Sequence, residues 1–357
     1  MSTKRAVVAM SGGVDSSTVA ALLKQRGEYD ELIGITLQLY DHGVALNKKG
    51  ACCAGQDIYD AKTVADTLQI PHYVLDYESR FKASVIDDFV ESYVRGETPL
   101  PCVRCNQSVK FYDLVEMAKQ LGATKLYTGH YVRKLMGQHG YELHMGKCER
   151  KDQSYFLFAT TKEQLDFLDF PLGNFSKEET RKMAEQFELP IADKPDSQDI
   201  CFVPDGKYRD TILAYKPDAQ RPGLIMHIDG FELGAHQGVI NYTIGQRRGV
   251  GVAFAHPLYV VKIDPERAIV WVGPEQALEK HSFNIKDLNW LATENCCDGV
   301  FEVKIRSTKA KMPATIIKTS DREAQVTLSV AEKGVAPGQA CVIYSGTRVM
   351  GGGWIVR

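Results

Sequence analysis

The sequence predicts an α/β fold: a doubly wound parallel sheet in the first half, followed by two small β domains, of which the last is a β-barrel. Strand-like apolar runs alternate with helical periods as far as Cys201, and short β-rich runs separated by glycines follow it. The chain has 357 residues and a hydrophobic content of 44%, enough for two or three domains with separate cores. We expect domains over 1–205, 206–274 and 275–357.

The elements of the first half follow in chain order. An apolar strand over 5–10 leads through a glycine-rich turn into a helix that contains Thr18–Leu23. Ser176 and Glu179 have the capping-box spacing of a helix over 176–189. In a doubly wound sheet, the ligand lies at the carboxyl ends of the strands. The remaining periodicities predict strands over 31–39, 72–76 and 125–132 and helices over 57–68, 81–95 and 110–121.

The second half contains short β-rich runs. Their regular spacing is typical of small β domains and barrels, and Gly273-Pro274 is a plausible boundary between two of them. Strands are predicted over 223–228, 238–242, 258–263, 268–272, 300–306, 314–318, 325–328 and 340–344.

Composition indicates a cytoplasmic protein without membrane association. No window approaches eighteen uncharged apolar residues, and the chain enters a strand at once without a signal peptide. Nine cysteines, an odd number, favour free or catalytic thiols over a disulfide framework.

Charge is unevenly distributed along the chain. The net charge is −2, which argues against indiscriminate nucleic-acid binding. From Phe301 to the end, nine Lys or Arg residues face four acids, so this tail carries +5 and the remainder −7. Such a tail could hold a polyanion, and the alternative is an ordinary solvated face.

The turn Ser11–Ser17 reads Ser-Gly-Gly-Val-Asp-Ser-Ser and is the most informative segment. A strand, a glycine-rich turn and a helix N-terminus direct backbone N–H groups and the helix dipole at an anion. The turn lacks the lysine of the Walker A pattern and resembles the PP-loop of ATP pyrophosphatases, which cleave ATP between its α and β phosphates to adenylate a substrate. The alternative is a polar strand-to-helix turn.

The cysteines at 102 and 105 are the second feature of the sequence that indicates function. Cys105 is expected at or just before the N-terminus of the helix over 110–121, where the dipole lowers the pKa of a thiol and favours a nucleophilic thiolate. Cys102 lies three residues earlier in a proline-restricted loop. Two alternatives stay open: a thioredoxin-like redox pair, and a zinc site that adds the thiols of Cys52, Cys53 and Cys201.

Cys201 is the third signal, because it stands where the first domain gives way to the β region. Polar residues from Asp196 to Asp199 crowd one side of it, and a thiol at a domain junction can reach into a cleft. The alternative is a small buried thiol.

Several blocks together resemble the bacterial tRNA-specific 2-thiouridylases, essentially from end to end and in the same order. They are the turn at 11–17, the Thr-Pro-x-Pro-x-x-x-Cys-Asn segment at 98–106, and the blocks at 128–131, 151–157, 196–202, 243–249 and 337–339.

The resemblance implies ATP-dependent replacement of the uridine 2-oxygen by sulfur at the wobble position of tRNAs for Lys, Glu and Gln. The C2 oxygen would be adenylated, and a cysteine persulfide would supply the sulfur. ATP and Mg²⁺ are the implied cofactors, with Asp15 placed to hold the metal beside the phosphates. The implied partners are tRNA and a persulfide donor, either a sulfur-relay protein or a cysteine desulfurase.

The resemblance also implies residue roles. Cys201 matches the cysteine that carries the persulfide, and Cys105, immediately before the Asn of its motif, matches the nucleophile; the two would close a disulfide after sulfur has left. Cys102 occupies a position that relatives commonly fill with an Asp that contacts the target base. The residues that match ATP contacts are Ala9, Met10, Ser11, Gly12, Gly13, Val14, Asp15, Ser16, Leu37 and Gly129. The residues that match tRNA contacts are Lys151, Asp152, Gln153, His130, Arg306, Ser307 (Tyr in relatives) and Gln339.

Two rival functions come from other classes. A PP-loop ligase or amidotransferase that adenylates a small metabolite would not need Cys105 and Cys201. A non-catalytic RNA-binding protein with a vestigial nucleotide site would not need the intact turn at 11–17.

Overall fold

The computed structural model describes residues 3–40, 53–196, 199–203, 206–292 and 298–357. Of the predicted site positions, Cys52 lies outside these ranges, as do Ser197 and Gln198. The chain divides into two compact units: unit 1 comprises 1–84, 102–202 and 347–349, and unit 2 comprises 85–101, 203–346 and 350–357.

Unit 1 contains a five-stranded parallel sheet, which confirms the predicted doubly wound fold. The strands of unit 1 are β1 (Arg5–Ala9), β2 (Glu31–Gln38), β3 (His72–Asp76), β4 (Ala123–Tyr127), β5 (Val132–Gly137), β6 (Gly140–Met145) and β7 (Leu168–Asp169). Strands β5 and β6 form an antiparallel hairpin, and the other five lie in the order β3-β2-β1-β4-β7. Every adjacent pair in that order is parallel.

Both faces of this sheet are buried, as in other parallel sheets, since Ala6, Val7 and Val8 of β1 are all fully buried. The α-helices, including those that lie in unit 2, are α1 (Val14–Arg26), α2 (Cys53–Leu68), α3 (Glu78–Phe81), α4 (Asp87–Val94), α5 (Pro101–Cys105), α6 (Leu114–Gln120), α7 (Lys162–Phe167), α8 (Lys177–Gln186) and α9 (Tyr208–Tyr215). Helix α8 has the predicted capping box, with Ser176 and Glu179 each bonding the other's backbone N–H. The core beside β1 joins Ala6 and Val8 to Val19 and Leu23 of α1.

Four predicted spans differ from the structure. The strand predicted over 125–132 ends at Tyr127, and residues 128–131 connect it to β5. The helix predicted over 81–95 contains a π-helical segment, Lys82–Ile86, between α3 and α4. The helix predicted over 110–121 begins earlier, at Pro101, and passes through a second π-helical segment, Asn106–Asp113. The strand predicted over 238–242 is instead a short 3-10 turn, Val239–Asn241.

Unit 2 contains a four-stranded sheet and a barrel. The sheet has strands β8 (Gly223–His227), β9 (Glu232–His236), β10 (Tyr259–Asp264) and β11 (Ile269–Gly273) in the order β10-β11-β8-β9. The barrel strands are β12 (Glu279–Trp290), β13 (Gly299–Lys304), β14 (Met312–Ser320), β15 (Glu323–Lys333), β16 (Ala340–Ser345) and β17 (Arg348–Ile355). They run β12-β15-β14-β13-β16-β17, and pairing of β17 with β12 closes the barrel, as predicted.

Candidate active site

The predicted ATP residues lie at the carboxyl edge of the parallel sheet. Strands β2 and β3 extend the sheet on one side of β1, while β4 and β7 extend it on the other. The connections after β1 and β4 therefore diverge and leave a crevice between them, which is where ligands bind in such sheets. Ser11–Gly13 follows β1 and Thr128–His130 follows β4, so the fold brings these two predicted segments together.

Two glycines allow the backbones at this crevice to approach closely. A Cβ on Gly129 would lie 2.8 Å from the backbone nitrogen of Ser16, and one on Gly12 would lie 2.1 Å from the carbonyl oxygen of Asp57. Gly12 also has a φ of +74°, a conformation that disfavours other residues. Both positions therefore require glycine.

The loop leaves the N-terminus of α1 open to a ligand. Gly13 is the N-cap residue and has no side chain to cap the first turn. The Ser16 hydroxyl accepts the Ser11 N–H at 3.1 Å and lies 3.2 Å from the Gly13 carbonyl, which ties the loop into a ring. Since the first N–H groups of a helix have no intrahelical partner, this loop can bind phosphate oxygens.

The other predicted ATP residues flank this loop. Met10 is buried, donates its N–H to the Ile35 carbonyl at 2.8 Å and accepts the Thr36 hydroxyl at 2.7 Å. Ala9 ends β1 and Leu37 lies near the end of β2, so both belong to the same sheet edge.

Lys177 is a cation of this site that sequence reasoning missed. Its Nζ lies 2.7 Å from Asp15 Oδ1 and 2.7 Å from Asp196 Oδ1, and its side chain is 9% exposed. The Tyr131 hydroxyl donates to the same Asp15 oxygen at 2.6 Å. The only hint in the sequence was the position of Lys177 in the first turn of a well-capped helix.

Asp196 connects this cation to the segment before Cys201. It also accepts from Arg181 at 3.1 Å and from Lys151 at 2.9 Å. Burial would raise the pKa of Asp196, but hydrogen bonds from Lys177 and Lys151 outweigh it and lower the pKa to about 2. The carboxylate is therefore ionised at neutral pH.

The donor set around Asp15 fits Mg²⁺ only as an ion carried by phosphates. Among the described residues, no group of three or more His, Cys, Asp or Glu side chains could hold a metal. Mg²⁺ commonly binds through one or two carboxylates together with substrate phosphates and water. Asp15 would be the protein carboxylate of such a site.

Three thiols of unit 1 share the charge of one lysine. Cys102, Cys105 and Cys201 are free, and Cys105 is buried whereas the other two are exposed. The charge of Lys110 acts to lower the pKa of all three thiols. Within the described residues these thiols form no metal centre, and the zinc alternative drew partly on Cys52, which lies outside them.

The expected activation of Cys105 by a helix N-terminus is wrong. The helix begins at Pro101, so Cys105 lies one turn inside it and Cys102 is in the first turn. Burial raises the pKa of Cys105 and Lys110 opposes the rise. Although Cys201 is exposed at the surface, desolvation by the protein around its sulfur and the neighbouring thiols raise its pKa to about 12. Lys110, rather than the helix dipole, is the group that favours a thiolate here.

The residue after Cys105 leaves a buried acceptor open. Asn106 Nδ2 donates to the Phe156 carbonyl at 3.3 Å, which fixes the orientation of the amide. Its Oδ1 is buried and has no hydrogen-bond partner among the described residues. A donor on a ligand would satisfy it.

His130 is held among aromatic rings as a neutral side chain. Its ring centroid lies 5.8 Å from that of Phe111 and 6.4 Å from that of Phe170, and its Nδ1 bonds the Thr128 hydroxyl at 2.8 Å. Burial and then Lys110 lower the pKa of His130 to about 3. It therefore cannot supply a positive charge to a phosphate at neutral pH.

The predicted tRNA residues of unit 1 make local contacts. Asp152 Oδ1 accepts the backbone N–H groups of Gly146 and Ser154 at 2.9 and 3.1 Å. Gln153 Oε1 accepts the Tyr131 N–H at 2.9 Å. Both side chains shape the loop, and Lys151, paired with Asp196, is the charged group of the three that reaches solvent.

The predicted tRNA residues of unit 2 are also engaged. Arg306 donates through Nε and Nη2 to the Gly334 carbonyl at 3.2 and 3.0 Å. Gln339 is 9% exposed and donates to the Thr98 carbonyl at 2.9 Å, whereas Ser307 is half-buried on the barrel. Their contact with tRNA stays a prediction.

The positive charge of the C-terminal tail is largely paired. Six of its basic residues each have a carboxylate within 4 Å. Exposed pairs of this kind can exchange partners with phosphates at little expense. The pairs are Lys309–Glu332, Lys311–Glu302, Lys318–Asp321, Arg322–Asp287, Lys333–Glu275 and Arg348–Glu142.

None of the helices in the described ranges is both long and apolar enough to cross a bilayer.

Three family models match the chain. A tRNA methyl transferase HUP domain matches residues 4–205, a tRNA methyl transferase PRC-barrel domain matches 209–274, and an aminomethyltransferase beta-barrel domain matches 280–355.

Curated relatives match over nearly the whole length. The tRNA-specific 2-thiouridylase MnmA of Rickettsia bellii (strain OSU 85-389) is 64% identical over 354 residues, covering 98% of this chain and 96% of the relative. The protein of the same name from Rickettsia africae (strain ESF-5) is 63% identical over 353 residues, covering 98% and 96%.

Likeness to a solved structure is weak by comparison. The structure of the U34-tRNA thiolase NcsA from Methanococcus maripaludis matches with a TM-score of 0.36 and 16% identity, over 60% of this chain and 70% of that chain. No inference is based on this match.

Proposed function

The chain belongs to the family of tRNA-specific 2-thiouridylases, and on that premise we propose that it uses ATP to replace the C2 oxygen of the wobble uridine of Lys-, Glu- and Gln-type tRNAs with sulfur. The observation that carries the proposal is the occurrence, within unit 1, of a phosphate-binding loop and a cluster of three thiols around Lys110. A ligase for a small metabolite would need the loop alone.

The first step activates the uracil oxygen, which is a poor leaving group. The N-terminus of α1 would bind the phosphates of ATP, and Lys177 would hold positive charge beside them. Mg²⁺, when bound through the phosphates with Asp15 as its protein ligand, would neutralise part of their charge. Transfer of the adenylyl group to the C2 oxygen makes AMP the next leaving group and releases pyrophosphate.

The second step delivers sulfur. Cys201 would carry a persulfide received from a sulfur-relay protein or a cysteine desulfurase. Either its outer sulfur attacks C2 directly and Cys105 then attacks the Cys201 Sγ, or Cys105 first frees hydrosulfide, which attacks C2. In both routes AMP leaves, and a Cys105–Cys201 disulfide remains that two electrons must reduce.

The target base must leave the anticodon loop to reach these groups, which RNA loops permit at modest energy. Lys151 and Arg306 are the proposed phosphate contacts, with His130, Asp152, Gln153, Ser307 and Gln339 shaping the surfaces around them. The proposed domains are 1–205 for catalysis, 206–274 as a central β domain, and 275–357 as the tRNA-contacting barrel. We place the reaction in the cytoplasm.

The cysteine variants test this function. Cys105→Ser and Cys201→Ser should each abolish thiolation of tRNA yet still adenylate it and release pyrophosphate, because adenylation needs neither sulfur; AMP then stays bound to the C2 oxygen. Cys148→Ser, a half-exposed thiol for which no contact with the cluster is found in the described structure, is the control and should thiolate normally. Loss of pyrophosphate release in both variants, or thiolation by either, would contradict the assignment.

A further inference from the structure

The corrected start of the helix creates a dithiol motif that the function above does not use. Pro101 is the first helical residue, a position that suits proline. Cys102 follows in the first turn and is exposed, whereas Cys105, three residues on, is 6% exposed. An exposed thiol and a buried thiol thus occupy the two ends of one helical turn.

The spacing brings the two sulfurs within bonding reach. Residues three apart on a helix lie on the same side, with Cβ atoms about 5–6 Å apart. A disulfide needs Cβ atoms about 3.5–4.5 Å apart, so a small adjustment of this first turn is sufficient. The adjacent segment Asn106–Asp113 is π-helical and so departs from regular α-helical hydrogen bonding. Segments of this kind often occur at functional sites.

Electrostatics links this pair to Cys201. The charge of Lys110 lowers the pKa of all three thiols, whereas Cys102 and Cys105 both raise the pKa of Cys201. Lys110, five residues after Cys105, is separated from it by one π-helical repeat and so shares its side of the helix. One cation can therefore stabilise whichever sulfur is the leaving thiolate.

We infer that Cys102 and Cys105 are a redox-active dithiol that resets the enzyme after each sulfur transfer, a step that rests on the function proposed above. The Cys102 thiolate attacks the Cys105 Sγ of the Cys105–Cys201 disulfide. The Cys102–Cys105 bond forms, the Cys105–Cys201 bond breaks, and the Cys201 thiolate leaves and takes up a proton. An external dithiol then reduces the Cys102–Cys105 disulfide from its exposed end and is itself oxidised to a disulfide.

This arrangement separates reloading from reduction. Cys201 becomes free for the next persulfide as soon as the exchange has occurred. Reduction by the external dithiol takes place at Cys102, so the reductant need not reach buried Cys105. Although Cys102 is exposed at the surface, desolvation by the protein around its sulfur raises its pKa, while Lys110 and a backbone N–H oppose the rise; we therefore expect the exchange to accelerate with rising pH.

The disulfide can be located by trypsin digestion, because Arg104 separates the two thiols. Cleavage gives Cys102 in peptide 96–104, Cys105 in 105–110 and Cys201 in 183–207, since Lys194 precedes proline. The full-length enzyme is oxidised with one equivalent of diamide, and free thiols are blocked with N-ethylmaleimide. We expect 96–104 linked to 105–110 in the wild type, and 105–110 linked to 183–207 in Cys102→Ser. A wild type in which Cys102 is alkylated and 105–110 is linked to 183–207 would overturn the inference.

Turnover gives the second readout. With limiting dithiothreitol, Cys102→Ser should give a burst of thiolated tRNA followed by turnover at least tenfold slower than that of the wild type, and a large excess of dithiothreitol should restore it. Cys148→Ser should follow the wild type. Wild-type cycling by Cys102→Ser at limiting reductant refutes the dithiol. If the wild type itself thiolates no tRNA, the proposed function fails, whereas the peptide map, which needs no tRNA, still decides the pairing.

Discussion

Replacing Lys177 with methionine should destabilise unit 1 in a pH-dependent manner. The ammonium group is nearly buried between Asp15 and Asp196, so Lys177→Met leaves two facing carboxylates without their shared cation. Methionine has similar length and helix propensity, so the change isolates the charge. Lys182→Met is the matched control, because Lys182 lies exposed on the same helix, α8.

The magnitude follows from Asp196. Its pKa of about 2, against an ordinary 3.8, corresponds to about 2.5 kcal/mol of stability at pH 7. A quarter of the Asp196 side chain is exposed, so solvent screens the interaction, and Lys151 accounts for part of the lowered pKa. The stability that depends on Lys177 alone is therefore about 1–2 kcal/mol. Loss of the Asp15 pair brings the expected total to about 2–3 kcal/mol at pH 7.

The sign of the pH dependence is fixed by the lowered pKa. A carboxylate with a lowered folded-state pKa stabilises the fold above its ordinary pKa of 3.8, and this stabilisation is lost as pH falls through about 2. The Asp196 contribution should therefore fall by about half between pH 7 and pH 3. Urea unfolding followed by tryptophan fluorescence at both pH values measures it. A deficit equal to that of Lys182→Met, or one unchanged at pH 3, would refute the reasoning.

Three further changes test other parts of the site. Asp15→Ala should remove AMP and pyrophosphate release while the protein stays folded, and formation of ADP and phosphate by the wild type would show that the loop was misassigned. Gly12→Ala should weaken ATP binding and unfold more readily than Gly27→Ala, which also has a positive φ but open space around its Cβ; equal losses of about 1 kcal/mol would contradict the close approach to Asp57. Lys151→Ala with Arg306→Ala should reduce the slope of log affinity for tRNA against log salt by roughly 0.7–0.9 per lost phosphate contact, and wild-type affinity at every salt concentration would exclude this surface.

The sequence predicted the parallel sheet and the phosphate loop because both depend on local patterns. Alternating strands and helices, and the glycines at 12 and 13, carry their structural meaning without distant partners. The barrel was likewise predictable from short, evenly spaced runs. The 3-10 turn at Val239–Asn241 was not, because Val239 packs in the core beside the four-stranded sheet without extending a strand.

Features that depend on distant contacts were missed. Lys177 is 162 residues from Asp15, so its ion pair has no local pattern. The helix containing Cys105 begins at Pro101, nine residues before the predicted start at 110, because proline is tolerated in the first turn and the π-helical segment breaks the α-helical periodicity. That shift reversed the expected environment of Cys105 from an exposed helix end to a buried turn.

The most direct test of the central claim measures products in one reaction. The enzyme is incubated with unmodified tRNA, ATP, Mg²⁺ and a persulfide donor, and nucleosides and nucleotides are quantified together by mass spectrometry. We predict 2-thiouridine at the wobble position and AMP in equal amounts in the first turnover. AMP formation without sulfur in the tRNA, or 2-thiouridine without AMP, would contradict the account.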